Sequence, residues 1–95
     1  MTKQEVTIRI TKQTGIEKEA VQAVMEEFME QVRSSLTDGE PVYLRGFGSF
    51  IIKQRAEKIA RNISKNTAVV IPAHPIPAFK PAPAFMKAVR EAEIK

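Results

Sequence analysis

Phe-Ile-Ile-Lys-Gln-Arg-Ala-Glu-Lys-Ile-Ala-Arg-Asn-Ile-Ser-Lys-Asn-Thr-Ala-Val-Val-Ile-Pro-Ala-His-Pro, residues 50–75, is the stretch that decides the fold. Ile51-Ile52 opens an extended run to about Arg61, the polar segment Asn62-Ile63-Ser64-Lys65-Asn66 turns the chain, and the β-branched run Thr67 to Ile71 returns it. One long β-hairpin is expected. Its outgoing limb is too poor in large apolar residues to cover a core, whereas Lys53, Arg55, Lys58, Arg61 and Lys65 accumulate positive charge along it. A two-stranded ribbon of this kind is marginal in water by itself, so something outside it has to order it. Ten residues of strand at about 3.3 Å each give an arm of roughly 30 Å, longer than the width of a duplex groove. The spacing 53, 55, 58, 61 departs from strict alternation, and a β-bulge near Ala56 or Glu57 is expected to return the cations to one face.

Upstream of the hairpin the pattern is helical. Thr2 and Glu5 have capping-box spacing and Thr14-Gly15 is a stop, which predicts a helix over about 3–13. Val6, Ile8 and Ile10 oppose it, because β-branched residues at period two favour a strand. Ala20, Val21, Val24, Met25, Phe28, Met29, Val32 and Leu36 recur at helical spacing up to Asp38-Gly39, which defines a second helix. Its opposite side carries Glu19, Glu26, Glu27, Glu30 and Arg33, a solvated face without His or Asp at ligand spacing. Val42-Tyr43-Leu44 reads as a short strand and Gly46-Phe47-Gly48-Ser49-Phe50 as a turn. Prolines 72, 75, 77, 81 and 83 punctuate an extended segment before a helix from about Ala84 to Ala92. The expected class is α+β in a single domain, 1–95, with a helical dimerisation base (1–40), a sheet and arm (41–80) and a C-terminal helix (81–95).

A chain of 95 residues buries little of its surface alone, and help from a partner subunit is expected. Apolar residues make up 43% and charged residues 27%, which argues against wholesale disorder. The absence of cysteine excludes disulfides, thiolate zinc sites and cysteine nucleophiles. No apolar run approaches the roughly 20 residues of a membrane span, and the N-terminus lacks a signal core, so a cytoplasmic setting is expected. Up to Glu40, five basic residues face eight acidic ones, whereas from Pro41 onward ten face three. The net +4 is therefore concentrated in the second half, as suits a polyanionic partner.

Thr14-Gly15, Gly46-Phe47-Gly48-Ser49-Phe50, Arg55, Arg61-Asn62, Ile71-Pro72-Ala73 and Pro77-Ala78-Phe79-Lys80 together make the chain resemble, end to end, the bacterial HU/IHF family of DNA-bending proteins. The resemblance implies an intertwined dimer of the HU/IHF type, in which helices form a base, paired strands form a saddle and each subunit extends one arm around DNA. It implies DNA contacts from Lys3, Lys53, Arg55, Lys58, Arg61, Asn62, Lys65 and Lys80, and backbone approach to phosphates at Gly46 and Gly48. By the same likeness Phe28, Val32, Phe47, Phe50 and Phe79 look like the dimer core. Three departures stand out. Ile63 occupies the place of the family's intercalating proline, Lys65-Asn66 replaces the usual turn, and Pro83 replaces a lysine that would contact phosphate. Ile63 is expected to wedge between base pairs, against the alternative that it packs on its own hairpin.

The expected partners are double-stranded DNA of a nucleoid and a second copy of the chain, with a paralogue as the alternative subunit. No cofactor, metal, membrane or small-molecule substrate is expected. Low sequence specificity is preferred over site-specific bending, where deformation energy discriminates sites. Membrane or acidic-protein docking ranks below DNA because the ribbon lacks an apolar stripe, and RNA because it lacks a base-stacking platform. Catalysis ranks lowest: His74, the single histidine, has no nucleophile or carboxylate beside it and is expected to be a surface or packing residue dispensable for DNA binding.

Overall fold

The computed structural model describes residues 1–62 and 67–92. The elements run α1 (Lys3–Thr14), α2 (Lys18–Thr37), β1 (Val42–Leu44), β2 (Gly48–Arg55), β3 (Lys58–Asn62), β4 (Thr67–Ile71), β5 (His74–Pro81) and α3 (Pro83–Glu91). They fall into two compact units, Met1–Ser35 and Leu36–Lys95.

In the helical unit, capping and burial resolve the ambiguity of the first segment. The Thr2 hydroxyl accepts the Glu5 N–H at 3.2 Å, and Gly15 closes α1 at φ 76°, its N–H donating to the Thr11 carbonyl. Val6, Thr7, Ile10 and Thr11 face inward while Ile8 faces out, a stripe of helical period that overrides the alternation. Thr7 and Thr14 turn their hydroxyls onto the Lys3 and Ile10 carbonyls at 2.8 and 2.7 Å, which lets β-branched threonines sit inside a helix. Val21 is the apolar residue that this unit buries, with Thr7 beside it in burial and Met25 Sδ 3.3 Å from the Thr7 hydroxyl.

The sheet unit holds two ladders, a three-stranded sheet in the order β1-β2-β5 and the two-stranded β3-β4, all antiparallel. Leu44 to Phe47 is a tight turn. The Phe47 N–H donates to the Leu44 carbonyl at 3.0 Å, and Gly46 at φ 81° occupies the third position, where a type II turn requires a left-handed residue.

Two expectations need correction here. The outgoing limb is two strands, because the ladder stops at Arg55–His74 and resumes at Lys58–Ile71. Two residues are skipped on each side, Ala56-Glu57 against Pro72-Ala73, so neither strand carries an extra residue and there is no bulge. Pro72 has no N–H to give, which accounts for an interruption that leaves the register intact. The proline-rich segment, expected to be extended, is a full strand, β5. Pro75, Pro77 and Pro81 share parity, so their missing donors fall on one edge, and the sheet order leaves one edge of β5 open.

Gly48 is buried, and a Cβ there would lie 2.6 Å from the Phe79 ring and 2.7 Å from the Lys80 carbonyl oxygen. Gly48→Ala is expected to destabilise the protein by about 1–3 kcal/mol through overpacking against backbone, read as a drop in thermal midpoint. An unchanged midpoint would show that the Phe79 ring is not held over β2.

Candidate nucleic-acid interface

The pairing of β2 sorts side chains by parity. Val42, Phe50 and Phe79 are in register on one face, followed by Ile52 with Pro77 and Gln54 with Pro75. Tyr43, Ser49 and Lys80 form a row on the other, followed by Ile51 with Ala78, Lys53 with Ile76 and Arg55 with His74. One face is therefore aromatic and proline-rich, and the opposite face carries Lys53, Arg55 and Lys80.

The aromatic face is a linked cluster centred on Phe79, whose ring lies 5.2 Å from Phe47, 5.1 Å from Phe50 and 6.2 Å from Phe85. Tilted rings at these distances satisfy the aromatic quadrupole preference. The cluster is incompletely covered. Phe47 is 48% exposed and Phe79 38%, and Phe79, Phe85, Met86 and Val89 line an open apolar groove of about 440 Å³. In the helical unit Val24 is 69% and Phe28 43% exposed, and Val32 is half-buried. The dimer-core candidates thus lie on two unsealed apolar surfaces, one in each unit.

On the basic face, Tyr43, Arg45, Gly46, Ser49 and Lys80 line a shallow hollow of about 490 Å³. Tyr43 and Arg45 are not singled out by the sequence pattern. The alternation Val42-Tyr43-Leu44 already turns Tyr43 away from the apolar side, and that is the available signal. Gly46 is exposed with nothing within 4 Å of its missing Cβ, an approachable backbone. Gly48 lines the same hollow, and Phe79 and Lys80 occupy the space a Cβ there would need, so its lack of a side chain also serves packing.

In the arm, Arg61 pairs with Ala68 and shares a face with Ile59 and Val70, while Lys58 pairs with Ile71 on the reverse face. Without a bulge, Lys58 and Arg61 are presented on opposite sides of the ribbon rather than one. The backbone of Asn62 pairs with Thr67, and Ile63 and Lys65 lie outside the described residues. Lys3, in the helical unit, bonds Glu26 at 2.7 Å. That hydrogen bond, reinforced by the lysine charge, holds the Glu26 carboxyl below the usual carboxylate range.

Among the described residues no group of three His, Cys, Asp or Glu is placed to hold a metal ion, and no helix is long and apolar enough to cross a membrane. What the fold presents is charge on one sheet face, continued by a charged ribbon, the build of a protein that grips an extended polyanion.

Comparison with known proteins gives that class a family. The family model described as "Bacterial DNA-binding protein" matches residues 1–90, and the chain belongs to this family. It is 32% identical over 90 residues to the DNA-binding protein HU of Thermotoga maritima, covering 95% of this chain and 100% of that one. It is 36% identical over 92 residues to the integration host factor subunit beta of Marinobacter nauticus, covering 96% and 94%. Among solved structures, the Anabaena HU–DNA cocrystal matches with a TM-score of 0.90 at 29% identity, covering 97% of this chain and 100% of that one.

The Lys3–Glu26 pair yields a pH prediction. A carboxyl depressed in the folded state stabilises it above the ordinary carboxylate value, and that contribution is lost as pH falls through the depressed value. An NMR titration should place Glu26 below an unstructured-peptide glutamate, and Lys3→Ala should raise its midpoint. An identical midpoint in the variant would mean that the pair does not persist in solution.

Proposed function

We propose that this chain is an architectural protein that binds double-stranded DNA along the minor groove with low sequence specificity and bends it, catalysing no chemical step. It works as a dimer within the nucleoid, in the cytoplasm. The observation that carries the reading is the strand register, which sends Lys53, Arg55 and Lys80 to one face of the sheet and Phe50 and Phe79 to the other.

The basic face and arm neutralise phosphates, each contact releasing a counterion, which gives affinity without base readout. Lys58, Arg61, Asn62 and Lys65 extend this grip along the arm, Gly46 offers backbone to the phosphates, and Lys3 adds a contact from the helical base. Ile63 inserts between base pairs and sets the kink, the cations beside it holding the flanking backbone. Phe28, Val32, Phe47, Phe50 and Phe79 are sealed by the second subunit, with residues 1–40 as the helical base, 41–80 as sheet and arm, and 81–95 as the closing helix.

Salt titration tests the electrostatic part. Log affinity should fall linearly with log salt, and Lys53→Ala or Arg55→Ala should each flatten the slope by about 0.9 for every phosphate left without its cation. Binding that is indifferent to salt would reject the reading, and a preference of several kcal/mol for one site over random duplex would point to site-specific bending.

A bending assay on Arg61→Ala and Ile63→Ala separates grip from wedge. Arg61→Ala should weaken binding across sequences, whereas Ile63→Ala should reduce the bend by more than the affinity. A wild-type bend in the Ile63 variant would remove the wedge from the mechanism.

A further inference from the structure

Resting on that reading, we propose that His74 is a conditional phosphate ligand, adding a positive charge to the DNA-binding face when protonated and withdrawing it when neutral. Its position comes from the register. His74 is the direct cross-strand partner of Arg55, on the face that carries Lys53 and Lys80, at the last rung before the ladder breaks. Directly opposed side chains in such a pair have Cβ atoms roughly 5 Å apart, so one phosphate can be reached by both.

The ring is also oriented for this role. His74 Nδ1 lies 2.9 Å from the Pro72 carbonyl oxygen. A carbonyl only accepts, so Nδ1 keeps its hydrogen in both charge states and donates it. Nε2 is therefore the nitrogen where the proton comes and goes. The same bond spans the unpaired stretch Pro72-Ala73, tying the ring to the base of the arm.

The charged groups placed to face it are Arg55 directly opposite, Lys53 on one diagonal and, by the continuous register, Glu57 on the other, with Lys80 further along β5 itself. Ile76 and Pro72 bring no charge, and Glu57, in the unpaired stretch, is the one acidic residue between Pro41 and Lys80. A phosphate placed between His74 and these cations favours the imidazolium. The complex therefore holds this proton more tightly than the free protein does. Binding takes up protons, and affinity rises as pH falls through the range in which imidazole gains charge.

The test is a salt titration of a mixed-sequence DNA duplex at pH 8 and at pH 6, an interval that ordinary carboxylates, lysines and arginines cross without changing charge. The wild-type slope should be steeper at pH 6, by about 0.9 for each subunit whose His74 engages. His74→Gln keeps a hydrogen-bonding side chain without the titrating charge. It should show the wild-type pH 8 slope at both pH values, with a circular dichroism melt confirming that it folds. Equal wild-type slopes at the two pH values would overturn the proposal. So would steepening that survives in His74→Gln, or a variant weakened equally at both, which would make His74 a brace for the arm. A wild-type protein that binds no duplex at either pH defeats the DNA-binding reading itself, a result plainly distinct from a pH-independent slope.

Discussion

Everything in the sheet unit depends on the antiparallel register of β2 against β5. Because side chains alternate across a strand, a slip of β5 by one residue against β2 would send Lys80 to the aromatic side and Phe79 to the basic one. Gly48 helps to fix that register, since the Phe79 ring and the Lys80 carbonyl occupy the space that any larger residue there would need. Burial of a phenylalanine contributes about 1.5–3 kcal/mol, so stacking Phe79 with Phe47, Phe50 and Phe85 penalises a slip heavily. The basic face is thus specified from behind, by the aromatic residues of the opposite face.

That arrangement leaves a deficit on the apolar side. A three-stranded sheet with one apolar face requires a cover, and α3 supplies only part of it, leaving Met86 46% and Val89 47% exposed. The helical unit has the same deficit at Val24 and Phe28. Contiguous exposed apolar surface of this kind marks association in soluble proteins, and a second copy sealing both surfaces gives the proposed dimer its driving force. Dimerisation and DNA binding then use opposite faces of one sheet and do not compete.

Much of this is legible in the residues, for reasons that differ by segment. Val42–Leu44 and Thr67–Ile71 form the strands that their β-branched and aromatic composition favours. The first helix is ambiguous in sequence because Val6, Ile8 and Ile10 fit either period, and only the cap at Thr2 and the inward stripe decide it. β5 is hidden by its prolines. Read as breakers they deny a strand, yet at common parity on an edge they deny only an edge. The split between β2 and β3 leaves no trace in the charge spacing, because the register is continuous across it. The cation spacing that suggests a bulge instead distributes Lys58 and Arg61 over two sides of the ribbon. Gly48 stands out in the sequence, but its packing role does not, since that need for glycine arises from Phe79, a residue distant along the chain and adjacent only in the fold.

The distribution of acidic residues explains why the basic face is kept for a ligand. In the helical unit Lys3 pairs with Glu26 and Arg33 with Glu30. The three strands that carry the basic face and the return limb of the arm contain no carboxylate, and β4 from Thr67 to Ile71 has no charge at all. Lys53 and Arg55, two residues apart on one side of a strand, therefore repel each other, with no carboxylate within β2 itself to relieve them. Such stacking lowers the stability of the free sheet, and under the proposed function a polyanion relieves it on binding. On the proposed reading, the repulsion that the aromatic side has to hold together in the free protein favours DNA in the complex, and the alternation of β2 is what allows one strand to carry both.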